Sequence, residues 1–377
     1  MLDTTKLYSP AAHALVGWKR YVARLGLAAG SIVLAWSVGE LVLRFQGADP
    51  PMLRFRQLDQ ALAGLPRHQF MQLIENDAEL FWRLAPSVRL PENDSPFFGL
   101  ISNAQSLRED HEIPLQKPKG QIRLLFLGDS CTFGYLVSHR HTFVAQAEAL
   151  LREKYPSIDV KCINAGVPGY TLFQGWRFLE TQGIAYAPDL VVLNFGWNDT
   201  GEWDGHSDRE VYETTRGREP PRGLRWSRLT RRIWAAVRPS TSSSATDASR
   251  PRLRPDEFTA LLAEIHATSQ RIGADLLLVV GASRGNIVHG KVAHDRATVP
   301  LTPLQREQLR FGETLRLGPH AAPGFVDAIQ IAVRLAMDRP IDDILFDDVH
   351  ATPLMNRAIA EEIVRTIGPW LRHRTHG

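Results

Sequence analysis

The sequence has few cysteines and almost no excess of either charge. Cys131 and Cys162 are the two cysteines among 377 residues, so no disulfide framework holds the fold. The sequence allows one disulfide bond between these two cysteines but favours two buried free thiols. The formal charge of +3 does not favour a nucleic-acid partner. Hydrophobic content of 44% and charged content of 23% are ordinary for a folded globular protein.

One long apolar run stands near the amino terminus. Leu25 to Leu43 contains one charged residue, Glu40, and would form a helix about 28 Å long, close to the ~30 Å hydrocarbon core of a bilayer. Glu40 precedes Arg44 by four residues, a spacing that lets the two side chains pair on a helix. The run is not followed by a small-x-small cleavage site or by a cysteine that could carry a lipid. We therefore expect an uncleaved transmembrane anchor, with a buried helix of a soluble protein as the alternative.

The charges beside this run predict an orientation. Basic residues within 1–24 favour a cytoplasmic amino terminus, although the contrast is weak because arginines also follow the run. The remaining chain would then lie outside the cytoplasm, as a single-pass protein with a periplasmic domain.

Two segments have no clear chemistry in the sequence. Residues 46–120 contain several prolines and have mixed helical character over 55–84, and we interpret them as a stalk or flap. Residues 201–255 are interpreted as an insertion. Its basic, Leu- and Trp-containing part predicts either a lid helix or a segment that rests on anionic lipid or glycan. The Ser- and Thr-rich part that follows is typical of a flexible loop.

From Gln121 onward, apolar strands alternate with helical segments. This alternation predicts an α/β domain over 121–370, with a central parallel sheet covered by helices on both faces. Ligands of such sheets bind where the carboxyl ends of the strands meet. The predicted strands are Ile122–Leu127, Ile158–Ile163, Leu190–Asn194 and Leu276–Val280, and the predicted helices are Thr142–Tyr155, Thr171–Gly183, Asp256–Ile272 and Pro353–Ile367.

The first predicted strand ends in Gly128-Asp129-Ser130. A strand that turns directly into a helix would place Ser130 beside free backbone N–H groups, where a developing oxyanion is stabilised. The alternative is that Asp129 and Ser130 only cap a helix, a position that both residue types favour. Thr132 stands where the Gly-x-Ser-x-Gly motif has its last glycine, so the nucleophile elbow of the α/β-hydrolases fits poorly.

Two later strand ends add possible oxyanion donors at the same edge of the sheet. Gly166 and Gly169 follow the second strand, and either could present a backbone N–H to a cavity. Asn198 follows the third strand and could donate a side-chain N–H. A plain turn at the glycines and helix capping by Asn198 are the alternatives.

Near the carboxyl terminus, Asp347 precedes His350 by three residues. In a turn, this spacing lets the carboxylate accept the ring Nδ1–H and leaves Nε2 free to take a proton from Ser130. Asp348 is expected to cap the final helix or to face solvent. The simpler alternative is that Asp347 and His350 form a pair on the surface without a catalytic role. A metal site is disfavoured, because no further His or Cys stands at a ligand-like spacing from them.

These motifs together resemble those of a known family, the SGNH or GDSL-type hydrolases. The matching blocks, in the order that the family has them, are Gly128-Asp129-Ser130, Gly169, Gly196-x-Asn198-Asp199 and Asp347-x-x-His350. The resemblance implies a three-layer, flavodoxin-like fold and a serine esterase that needs no cofactor and no metal.

The resemblance also implies roles for individual residues. Ser130 would be the nucleophile, His350 the general base, and Asp347 the carboxylate that orients the imidazole. The backbone N–H groups of Ser130 and Gly169 and the Asn198 amide would form the oxyanion hole, with Gly166 as a competitor for the role of Gly169.

The expected reaction is hydrolysis of an ester through an acyl-Ser130 intermediate. The apolar run favours an ester of an envelope glycan or lipid as the substrate. One alternative is an O-acyltransferase for exported polysaccharide that uses the same residues. The other is an inactive carbohydrate-binding protein of the same fold.

Overall fold

The computed structural model of the chain divides into two units. The first comprises Met1–Leu53 and Gly217–Thr241, and the second comprises Arg54–Arg216 and Ser242–Gly377. The structure describes residues 10–45, 73–77, 79–89, 101–202, 205–216, 223, 226–237, 250–293, 299–317 and 323–376.

The second unit alternates strands and helices from residue 122 onward. The strands of the chain are β1 (Ile74–Asp77), β2 (Phe81–Leu84), β3 (Ile122–Gly128), β4 (Val160–Gly166), β5 (Leu190–Asn194), β6 (Asp275–Val280) and β7 (Gly324–Asp327). The α-helices are α1 (Pro10–Phe45), α2 (Ser130–Phe133), α3 (Phe143–Lys154), α4 (Leu172–Thr181), α5 (Asp208–Arg216), α6 (Arg228–Val237), α7 (Pro255–Arg271), α8 (Arg284–Ala293), α9 (Pro303–Leu317), α10 (Ala328–Ala336) and α11 (Pro353–His376).

A five-stranded sheet forms the centre of the second unit. Its strands lie in the order β4-β3-β5-β6-β7, and every neighbouring pair is parallel. Helices α3, α10 and α11 share one buried apolar cluster with the sheet, and α4, α7 and α9 pack together against its other face. The predicted three-layer, flavodoxin-like α/β fold is therefore confirmed.

The predicted strands and helices lie within a few residues of the observed ones, but part of the sheet was not predicted. The second predicted strand is shifted, because β4 pairs with β3 as far as Gly166 opposite Gly128. Strand β7 and helices α8 to α10 were not predicted. Strand β7 has only four residues and begins with a glycine, so it leaves almost no periodic pattern in the sequence.

Strands β1 and β2 form an antiparallel hairpin where helical character was expected. The hairpin packs on the sheet domain, because Trp82 Nε1 donates to Pro168 O at 3.0 Å and Gln174 Nε2 donates to Leu80 O at 2.8 Å. Both contacts are buried. The interpretation of 46–120 as a stalk or flap stays a prediction, and residues 46–72 lie outside the described part of the chain.

In the first unit, the apolar helix α1 contacts the basic helix α6. Glu40 accepts the Ser227 hydroxyl at 3.0 Å and the N–H groups of Arg228 and Leu229 at 3.2 and 3.0 Å. Glu40 also accepts a hydrogen bond from Arg44 Nε at 2.9 Å, so the two residues pair as their four-residue spacing predicts. A carboxylate at a helix N-terminus satisfies N–H groups that have no partner within the helix. The one charge in the apolar run thus caps α6.

Helix α1 is long and apolar enough to cross a membrane. The span Tyr21–Phe45 has 25 residues and a mean hydropathy of 1.7. It includes the predicted span Leu25 to Leu43.

Candidate active site

The site begins where β3 turns into the one-turn helix α2. Gly128 is aligned with Gly166 of β4 and with Asn194 of β5, so three strand ends lie level. A Cβ at Gly128 would lie 2.0 Å from Thr132 Oγ1, and only glycine leaves room for this close approach. The Asp129 carboxylate caps α2 by accepting the Cys131 N–H at 2.8 Å. The capping expected of Asp129 and the exposed edge position expected of Ser130 therefore occur together.

Ser130, His350 and Asp347 form a continuous chain of hydrogen bonds. His350 Nε2 lies 2.8 Å from Ser130 Oγ, and His350 Nδ1 lies 2.7 Å from Asp347 Oδ2. Asp347 Oδ1 also accepts the N–H groups of Val349 and His350, at 3.0 and 2.9 Å. With Nδ1–H donated to the carboxylate, Nε2 is the ring nitrogen that can accept the serine proton.

Asp347, rather than its neighbour Asp348, is the partner of the imidazole. Burial alone would raise the pKa of Asp347, but the hydrogen bond from His350 and the two backbone N–H groups hold this pKa well below its usual range. The Asp348 side chain is exposed. The Tyr135 ring packs against the imidazole, with ring centroids 4.6 Å apart, and restrains it from the other side.

A β-turn formed by Val167–Tyr170 lies beside the end of β3. Val167 N–H donates to Gly128 O at 3.1 Å, and Tyr170 N–H donates to Val167 O at 3.2 Å, which closes the turn. Gly169 has φ +80 and follows Pro168, the pattern of a type II turn. Pro168 thus occupies the position where this turn type favours proline.

The two glycines considered as oxyanion donors differ in structure. Gly166 N–H donates to Asn164 Oδ1 at 3.0 Å, so it is already engaged. The N–H groups of Ser130 and Gly169 have no protein acceptor within the described ranges. Gly169 is therefore the better candidate, because its donor is available to a ligand.

Asn198 reaches the same edge of the sheet, but its amide already has partners. Its Nδ2 donates to Tyr170 O at 3.0 Å and lies 3.3 Å from Asp129 Oδ2. The next residue, Asp199, is buried and accepts the N–H groups of Leu172 and Gly196 at 2.8 and 2.9 Å, which joins the loop after β5 to the start of α4. Burial raises the pKa of Asp199 to about 7.

A buried network behind the turn contains residues that the sequence did not single out. Arg252 donates to Gly169 O at 2.9 Å and to Gln174 Oε1 at 2.8 Å, and its Nε pairs with Asp208 Oδ1 at 2.8 Å. Asp208 also accepts the Thr171 hydroxyl. In the sequence, Arg252 is one of many arginines between 201 and 255, and nothing in its spacing distinguishes a buried arginine from a solvated one.

A small apolar cavity of about 20 Å³ lies next to the residues that neighbour Ser130 and His350 in sequence. Cys131, which follows Ser130, and Val349, which precedes His350, both line it, together with Trp197 and Gly281. Such a volume accommodates about one water-sized group.

One group of carboxylate and imidazole side chains in the described part of the chain has the spacing of metal ligands. Glu109, Asp110 and His139 have ligand atoms within 4.8 Å of one another. Glu109 already pairs with Lys161 Nζ at 3.1 Å. Burial and the nearby Arg108 lower the pKa of His139 to about 4. The two neighbouring cations disfavour a metal ion at this group.

A family model matches part of the chain. The model of the GDSL-like Lipase/Acylhydrolase family matches residues 126–313. The chain therefore contains a GDSL-like lipase/acylhydrolase domain, that of the SGNH hydrolases, and is an enzyme that hydrolyses ester bonds. The matched residues include Ser130, Gly169 and Asn198 and end before Asp347 and His350.

Solved structures similar to the chain include two hydrolases. An acetylxylan esterase from Geobacillus stearothermophilus is 19% identical, with a TM-score of 0.42, over 66% of this chain and 94% of that chain. An α/β hydrolase enzyme from the metagenome of Lake Arreo, Spain, is 16% identical, with a TM-score of 0.43, over 66% of this chain and 95% of that chain. No curated protein matches the sequence.

The buried Asp129 predicts a pH effect on stability. Burial raises the pKa of its carboxyl from 3.8 to about 6, so the folded protein disfavours the charged form. The stability associated with the neutral form is present below the unfolded-state pKa and is lost as pH rises through about 6. Relative to Asp129→Asn, the wild-type protein should lose about 3 kcal/mol of unfolding free energy between pH ~4 and ~7.

Denaturant unfolding of the full chain in detergent, repeated across this pH range, measures the difference. Asparagine keeps an oxygen that can accept the Cys131 N–H, so the helix cap is preserved. The exposed Asp348→Asn variant is the matched control. A constant difference between the wild type and Asp129→Asn at all pH values would contradict the prediction.

Proposed function

We propose that the chain is a serine esterase in which Ser130 is the nucleophile, His350 the general base and Asp347 the residue that orients the base. The observation that carries this proposal is the hydrogen-bond chain from Ser130 Oγ through the imidazole to Asp347, with distances of 2.8 and 2.7 Å. The family match supports the reaction class, because its members are lipases and acylhydrolases.

The reaction proceeds in two displacements. His350 Nε2 takes the Ser130 proton as Oγ attacks the ester carbonyl, and the negative charge of Asp347 stabilises the imidazolium that forms. The tetrahedral intermediate then collapses, and the imidazolium donates its proton to the leaving alkoxide. Water, deprotonated by the same imidazole, attacks the acyl-Ser130 carbonyl; the bond to Oγ then breaks, the imidazolium returns its proton to Ser130, and the carboxylic acid leaves.

In this proposal, the oxyanion of each tetrahedral intermediate accepts hydrogen bonds from the backbone N–H groups of Ser130 and Gly169. Asn198 contributes a third donor by turning away from Asp129. Its 3.3 Å contact with Asp129 is longer, and so weaker, than its 3.0 Å bond to Tyr170 O, which makes the Asp129 contact the one to exchange.

The alcohol part of the ester belongs, in this proposal, to an envelope glycan or lipid. Helix α1 supports this part of the proposal, because an anchored hydrolase works on substrates near the membrane.

We further propose that residues 25–43 of α1 span the bilayer once, with residues 1–24 in the cytoplasm and the hydrolase domain, 121–370, outside it. The length of Tyr21–Phe45, 25 residues, and its mean hydropathy of 1.7 support a span. The excess of basic residues before the span supports this orientation.

Replacing Ser130 by alanine tests the assignment of the nucleophile. Ser130→Ala should reduce hydrolysis of p-nitrophenyl acetate by several orders of magnitude, because it removes the attacking oxygen. The melting temperature should change little, since Ser130 is only partly buried and little volume is lost. Hydrolysis by the folded variant within tenfold of the wild type would end the assignment.

The two adjacent acids test the orienting carboxylate. Asp347→Asn should reduce kcat about 10⁴-fold, because the amide favours the tautomer that cannot accept the serine proton. Asp348→Asn, the matched change one residue away, should alter kcat by less than about tenfold, because the imidazole is bonded to Asp347 and not to Asp348. Equal losses in kcat, or the reverse order, would refute the choice of Asp347.

Membrane fractionation tests the anchor. The full chain should remain in the membrane fraction after alkaline extraction, because about 20 apolar residues make insertion effectively irreversible. A carboxyl-terminal reporter that is active only outside the cytoplasm should be active in the fusion. Recovery of the full chain in the detergent-free soluble fraction would exclude the anchor, and a reporter active only in the cytoplasm would reverse the orientation.

A further inference from the structure

Trp82 is a buried residue that contacts the turn carrying Gly169. It lies on β2 and is 1% exposed. Its indole Nε1–H donates to Pro168 O at 3.0 Å, and its backbone oxygen accepts the Tyr170 hydroxyl at 2.6 Å. Trp82 therefore binds the turn on both sides of Gly169.

The contact with Pro168 determines the direction of the Gly169 N–H. Pro168 O and Gly169 N–H belong to one trans peptide, so they point in opposite directions. Type I and type II turns differ mainly by a flip of this central peptide. A donor that holds Pro168 O therefore holds the turn in one of the two forms. It thereby fixes where the Gly169 N–H points.

The peptides on the carboxyl side of Gly169 are restrained in the same way. Arg252 Nη1 donates to the oxygen of Gly169 at 2.9 Å, and Asn198 Nδ2 donates to the oxygen of Tyr170 at 3.0 Å. The Arg252 guanidinium carbon lies 5.6 Å from the Trp82 ring centroid, within the range of a cation–π contact. Three successive carbonyls, those of 168–170, thus accept side-chain donors from three separate segments of the chain.

We propose that Trp82 is a positioning residue of the oxyanion hole. Its indole N–H holds the Pro168 carbonyl and so directs the Gly169 N–H at the oxyanion that forms on the substrate. This inference rests on the proposed function, since it needs a reaction with an oxyanion. Removal of an oxyanion donor costs about 10²–10³-fold in kcat, so a misdirected donor should cost between about 10- and 100-fold.

Trp82→Phe removes the N–H and keeps an aromatic ring. The control is Trp370→Phe, which loses a comparable indole bond, to Asp275 Oδ2 at 2.7 Å, in α11. We expect Trp82→Phe to lower kcat for p-nitrophenyl acetate about 10- to 100-fold while KM changes less than about threefold. The pH midpoint of the rate should stay unchanged, because the contacts of His350 are untouched.

A second measurement reports on the oxyanion hole directly. A trifluoromethyl ketone adds to a nucleophilic serine and forms a stable oxyanion, so its inhibition constant should rise by about the same factor as kcat/KM falls. The Trp370→Phe variant should show neither change. Both measurements use the full chain in detergent.

Three results would overturn the inference. Trp82→Phe could match Trp370→Phe in kcat and in ketone affinity, or it could raise KM with kcat unchanged, which would make Trp82 a substrate-binding residue. If Trp82→Phe does not fold, β-(3-benzothienyl)alanine at position 82 keeps the bicyclic shape without the N–H, and wild-type kcat with this residue overturns the inference as well. Loss of the proposed function has a different signature, namely a wild-type chain whose ester hydrolysis does not depend on Ser130.

Discussion

The candidate site depends on the register of three parallel strands. Gly128 lies level with Gly166 and Asn194, and the chain leaves all three strands at the same edge of the sheet. A slip of one residue would move every side chain of a strand to the other face. The register is well determined because β3, β4 and β5 are buried throughout. Ser130 and the turn after β4 therefore come together as a consequence of core packing.

The loop that carries Asp347 and His350 is held by its own backbone and by α8. Phe346 N–H donates to His350 O at 2.9 Å, which closes the loop, and the Arg284 N–H donates to Asp348 O at 2.8 Å. Leu345 and Ala351 form an isolated bridge at its base. These contacts hold the loop at its base and at Asp348, and with it the position of the imidazole.

The two segments with no evident chemistry in the sequence both supply buried donors to the turn at 167–170. Trp82 comes from the hairpin before the sheet and Arg252 from the end of the proposed insertion. Neither lies near Ser130 in sequence. The N–H of Gly169 is a backbone group and its direction is set by peptide planes, so the residues that control it are those that bind the neighbouring carbonyls.

Two kinds of feature could be predicted from the sequence by itself: strands with continuous apolar runs, and motifs whose residues lie close together in the chain. The strands predicted at Ile122–Leu127 and Leu190–Asn194 are observed, because burial on both faces requires a continuous apolar run. Asp347 and His350 are three residues apart, so their pairing follows from local geometry. Only the tertiary structure brings Trp82 to Pro168, because the two residues are 86 positions apart and their contact depends on the path of the whole chain. It also distinguishes Gly166 from Gly169, since the N–H of Gly166 donates to Asn164, a contact that composition and spacing do not record. The periodicity of apolar residues indicates which residues are buried. The hydrogen-bond partner of a buried polar group depends instead on how segments distant in sequence pack together.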